Sequence, residues 1–150
     1  MDNQTAVDEL RQLLVQPNIS DVVQYIIATS GLSGLEKMTT NREILQTVFR
    51  RMKEEAKGLE IVLLKDLVFA TQPIFPYSED LEKIFVHCLM GLLTLRMTLY
   101  DSDFLIDRKQ AQKVLLEAPK MFTAEKIQAL NALAEKFQEH LSKEDKSHGT

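Results

Sequence analysis

The side chains with which this sequence could do chemistry are few: three histidines (His87, His140, His148), one cysteine (Cys88) and an acidic group at Asp101, Asp103 and Asp107. His87 and Cys88 are adjacent, which suggests a ligand pair. Neighbouring residues on a helix point about 100° apart, however, and do not share one metal without further ligands. His-Glu-x-x-His, Glu-x-x-His and Cys-x-x-Cys are all missing, and with them the usual zinc and di-iron spacings. Cys88 has no His or Asn at a recognisable nucleophile spacing, and apolar neighbours raise a thiol's pKa where catalysis needs it lowered. Asp101-Ser102-Asp103 opens like a calcium loop, yet Ile106 stands where the sixth-position glycine is required. Gly31 to Lys37 has neither Walker nor Rossmann spacing. No catalytic residue, metal site or cofactor is assigned, and an enzyme would need carboxylates that meet only in the fold.

Composition narrows the class. A chain of 150 residues with 45% apolar side chains suits one domain with a real core. Its 18 basic and 22 acidic residues leave a net charge of −4, which argues against nucleic acid as partner. Arg42, Arg50, Arg51, Lys53 and Lys57 are interrupted by Glu43, Glu54 and Glu55, the pattern of a solvated helix face. A single cysteine excludes an internal disulfide. The N-terminus lacks the basic and apolar regions of a secretory signal. The uncharged run Ile84 to Leu95 falls well short of the roughly 20 apolar residues of a membrane span. These features predict a soluble, cytoplasmic protein.

The elements that would position these residues read as helices. Thr5 to Gln16 carries an apolar stripe before Pro17, and Ser20 caps a second helix that Gly31 ends. Thr40-Asn41-Arg42-Glu43 reads as a capping box for a third, with Ile44, Leu45, Val48, Phe49 and Met52 facing inward. Leu59 to Thr71 is the fourth. Pro73 and Pro76 then break the chain, and Ser78 caps a long helix over residues 79–100. Leu81, Phe85, Cys88, Leu92, Leu95 and Leu99 step along one face of it, and Ile84, Val86, Met90, Leu93 and Met97 fill most of the rest. A helix apolar nearly all round is buried, so it is expected at the centre. Asp107 caps the next helix, to Pro119, and Thr123 caps the last, whose stripe is Ile127, Leu130, Leu133, Ala134, Phe137 and Leu141. The predicted fold is all-α: one bundle of six or seven helices over residues 1–142, with a polar tail at 143–150.

Function is then sought in apolar surface. Ile74, Phe75 and Tyr77 among the prolines, and Phe104, Leu105 and Ile106 after the long helix, are the predicted partner contacts. They suggest a non-enzymatic protein-interaction module, such as an adaptor, regulator or small chaperone, that binds a protein partner or itself to form an oligomer. The alternative is a helical pocket for a small apolar ligand, with His87, Gly91, Thr94 and Arg96 around it.

Overall fold

The computed structural model describes residues 17–56, 67–70 and 77–148. Helix α1 (Ile19–Leu32) is the element on which the others pack. It starts with a reciprocal cap: Asp21 N–H donates to Asn18 Oδ1 at 3.1 Å, and Asn18 N–H to Asp21 Oδ2 at 2.9 Å. The cap is thus Asn18, two residues before Ser20. Val22, Val23, Tyr25, Ile26, Ile27, Ala28 and Ser30 are all buried, so almost the whole circumference is enclosed and tertiary packing overrides the β preference of Val and Ile. Around α1 lie β1 (Lys37–Thr39), α2 (Arg42–Glu55), α3 (Glu79–Cys88), β2 (Leu93–Met97), β3 (Ser102–Ile106), α4 (Arg108–Met121) and α5 (Ala124–His148). Helices α3, α4 and α5 and strand β3 all contact α1.

The protein is mostly helical, with five helices among the described residues, but it is not all-α. Strands β1, β3 and β2 form an antiparallel sheet in that order. The long helix expected over 79–100 ends at Cys88. Leu89 to Leu92 form a turn, and the remainder becomes the β2–β3 hairpin. Two patterns overlap in this stretch. The three-and-four spacing of Leu81, Phe85, Cys88, Leu92, Leu95 and Leu99 favours helix, whereas Leu93, Leu95, Met97 and Leu99 alternate with Thr94, Arg96 and Thr98 at the period of a strand. Gly91 weakens the helix between them. Strand then wins, because β3 supplies a partner for every residue of β2.

Elsewhere the caps are close to expectation. Ser78, Asp107 and Thr123 accept from the first-turn N–H groups of Leu81, Gln110 and Lys126. The α2 cap is Asn41 rather than Thr40, and the Thr40 hydroxyl instead meets that of Ser102 at 2.6 Å, joining β1 to β3. In the final helix Leu130, Leu133, Ala134, Phe137 and Leu141 are buried as predicted. The Phe49 ring joins three helices, with centroids 5.3 Å from Phe137 and 5.7 Å from Phe85. Arg51–Glu144 (2.7 Å) and His140–Glu55 (2.6 Å) tie α2 to α5, the first of them within the stretch read as a tail.

The predicted helix Thr5–Gln16 and most of Leu59–Thr71 lie outside the described residues. Leu67 to Ala70, the described part of the second, is not helical, and Ala70 pairs with Tyr77 through two backbone hydrogen bonds. Buried Gln46 fixes the following residue: its Oε1 accepts from Ser78 N–H at 2.8 Å and its Nε2 donates to Ser78 C=O at 3.0 Å. Replacing Gln46 by Leu strands the Ser78 N–H away from water and leaves the Ser78 C=O with Glu82 N–H alone. It should lower stability by about 2 kcal/mol or more in chemical denaturation.

Gly31 sits in the last turn of α1 and Gly34 beyond its end. The stop belongs to Gly34, which has φ +119° and closes a Schellman motif through Leu35 N–H to Ser30 C=O and Gly34 N–H to Gly31 C=O. Gly31 has a different task. A Cβ there would lie 2.5 Å from Ile106 Cγ2, so the absence of a side chain lets β3 lie directly on α1. Gly31→Ala should therefore cost about 1–3 kcal/mol despite its gain in helix propensity. In a double-mutant cycle, Ile106→Ala should remove much of that cost.

Candidate functional site

The β2–β3 hairpin is built by alternation. Leu93, Leu95 and Met97 of β2 share one face with their partners Ile106, Phe104 and Ser102, while Thr94 and Arg96 share the other with Leu105 and Asp103. On that second face Arg96 Nη2 donates to Asp103 Oδ2 at 2.9 Å. The helical body covers only the start of the apolar face: Leu93 is 1% exposed, Leu95 46% and Met97 73%. The hairpin thus projects past the core with its apolar face uncovered.

Its tip is unusual. Thr98 N–H donates to Asp101 C=O at 2.7 Å, leaving Leu99 and Tyr100 as the two loop residues. Such loops favour Asn, Asp and Gly, yet here two large apolar side chains are 86% and 89% exposed. At the other end of β2, Val86, Leu89 and Met90 are exposed where α3 finishes. Among the described residues, seven of the nine exposed large hydrophobics fall between Val86 and Tyr100. The other two, Val68 and Leu116, belong to other elements.

Beside this surface Leu45, Phe85, Val86, Leu89 and Phe104 line a cleft of about 120 Å³, with the Arg42–Glu82 ion pair among its walls. That is smaller than the roughly 300–1,000 Å³ of ligand pockets.

Of the residues singled out from sequence, Phe104 lines the cleft. Ile106 seats the sheet on Gly31, Leu105 is half-buried on the opposite face, and Tyr77 is half-buried at its bridge to Ala70. Ile74 and Phe75 lie outside the described residues. His87, Thr94 and Arg96 are exposed, and Gly91 approaches the Gln110 side chain, 3.6 Å from where a Cβ would stand. The exposed row of Leu95, Met97, Leu99 and Tyr100 was hidden by its assignment to a buried helix. The signal that could have found it is the alternation from Leu93 to Leu99.

Among the described residues, no three His, Cys, Asp or Glu side chains are placed to hold one metal ion, and no helix is long and apolar enough to cross a membrane. Three of the four basic side chains of α2 are engaged within the chain, Arg42 with Glu82, Arg51 with Glu144 and Lys53 with the Leu67 carbonyl, while Arg50 is exposed. No protein-family model, curated protein or solved structure matches this chain.

Cys88 is buried at the inner face of α3, and desolvation of the thiolate pushes its thiol from 9.0 up to about 12. In the unfolded chain it ionises near its ordinary value. The contribution of Cys88 to stability is therefore intact below pH 9 and is lost as the pH rises from about 9 towards 12. At pH 8 the folded protein should resist thiol-specific reagents and react only at the rate of global opening. Denaturant should restore the rate of a free thiol.

Proposed function

We propose that this protein is a non-enzymatic interaction module whose docking surface is the β2–β3 hairpin together with the end of α3. One observation carries the reading: among the described residues, the exposed large hydrophobics concentrate between Val86 and Tyr100, on and beside β2, which is an edge strand of the described sheet. Scattered apolar residues are normal on a protein surface, but a contiguous group marks a contact site. Folding does not account for Leu99 and Tyr100, since the hairpin turn closes through Thr98 and Asp101 alone. The edge also lacks the usual guards against pairing. Strand β2 contains no Lys or Pro, and its single charge, Arg96, is neutralised by Asp103 on the opposite face. Adaptor, regulator and chaperone roles all use such a surface, and the partner is a protein rather than a nucleic acid or a metal.

A photo-crosslinking amino acid at Met97 tests this in cells of the source. Discrete covalent protein adducts should form through position 97 and not through Lys113, an exposed residue of α4. Equal labelling at both positions, or none at Met97, would contradict the reading.

A further inference from the structure

The cleft beside the hairpin has a floor and a mouth of different character. Leu45 and Phe85 in its floor are 3% and 5% exposed, whereas Val86 and Leu89 at its mouth are 65% and 40% exposed. The floor is backed by other rings, since Phe85 packs edge-on against Phe49 and Phe49 against Phe137. Phe104 forms the wall on the sheet side, and its strand partner Leu95 carries the apolar surface onward to Met97. A cavity of about 150 Å³ lined by aliphatic and aromatic side chains admits benzene. The 120 Å³ of this cleft therefore suits one branched aliphatic side chain.

Charge enters the cleft through Arg42. Its side chain is 70% exposed, and its Nε lies 3.3 Å from Glu82 Oε2. Glu82 is held in turn: Gln46 Nε2 donates to its Oε1 at 3.1 Å, and buried Gln46 is fixed on the Ser78 backbone. This relay from Ser78 through Gln46 and Glu82 orients the guanidinium by one edge. Among the described residues the fork of Nη1 and Nη2 makes no hydrogen bond, so its N–H donors face an acceptor outside the chain. Lys83, exposed one turn before Val86 on α3, adds a second cation on the same side. With Glu82 already bound, the mouth favours an incoming negative charge.

We infer that the cleft is the anchor site for one aliphatic side chain of a partner protein, read together with an adjacent carboxylate that Arg42 holds. The inference rests on the interaction reading above and names the chemistry of the partner, a Leu-Glu type of step within its chain. The aliphatic group covers Leu45, Phe85 and Phe104, and the carboxylate accepts from the Arg42 fork while Glu82 keeps Nε. An internal segment fits better than a chain end, because the apolar surface runs on from Phe104 through Leu95 to Met97. A basic residue beside the anchor would oppose Arg42 and Lys83, so the same geometry selects against such partners.

NMR titration of the full chain, read on the methyl signals of Leu45, Val86 and Leu89, tests this. The probes are the peptide acetyl-Ala-Leu-Glu-Ala-amide and its counterparts with Gln in place of Glu and with Ala in place of Leu. The first should shift those methyls at millimolar concentration. Loss of the anchor should weaken binding at least about tenfold, and loss of the carboxylate about three- to fivefold. Arg42→Gln should abolish the preference for Glu over Gln and leave affinity for the Gln peptide unchanged, which distortion of the cleft would not do. Equal binding of the Glu and Gln peptides, an Arg42→Gln variant that loses both alike, or methyls that no peptide moves would overturn the anchor site. Adducts at Met97 would still form if the hairpin docks a partner through other chemistry, so the two readings fail separately.

Discussion

The sheet is held to the helices where Ile106 lies over Gly31. Because α1 has no side chain at that point, β3 can approach it directly, and β1 and β2 are held in turn by β3. The residues that follow from this contact are positioned by ladder geometry alone. Leu93 is drawn under the body beside Ile106, and each step of two along β2 moves further out, through Leu95 to Met97. A helical body of this size covers one rung of the hairpin and leaves the others exposed.

Parity then decides the chemistry of the edge. The apolar side chains of Leu95 and Met97 and the backbone groups that turn away from β3 belong to the same two exposed residues. A strand added at β2 therefore gains hydrogen bonds and apolar contact together, whereas at β1, only three residues long, it would gain little. The polar alternates, Thr94 and Arg96, have their backbone groups committed to β3 and the Arg96 charge balanced by Asp103. This combination makes the edge suited to docking.

Most of the helical framework was readable from local signals. The caps at Ser78, Asp107 and Thr123 and the stripe from Leu130 to Leu141 depend on short-range hydrogen bonding and a single period, and both are written in consecutive residues. The hairpin was not, because Leu recurs at spacings that fit a helix and a strand at once. What separates the two is the β3 partner, a tertiary fact. Taking residues 79–100 as one rod also inverted the burial: it placed Leu95, Met97, Leu99 and Tyr100 inside, and assigned to them the central place that α1 holds. Phe104, singled out from the sequence, lines the cleft beside the hairpin, whereas the alternating row next to it was not singled out. Thr40 was recognised as a residue that caps, but its hydroxyl is used by Ser102, which only the folded sheet brings near.

The most direct test of this account is amide hydrogen exchange along β2, followed by NMR. Thr94 and Arg96 should be protected, and Leu95 and Met97 should exchange much faster. Uniform protection from residue 81 to residue 100 would mean a continuous helix in place of the hairpin, and would contradict the account.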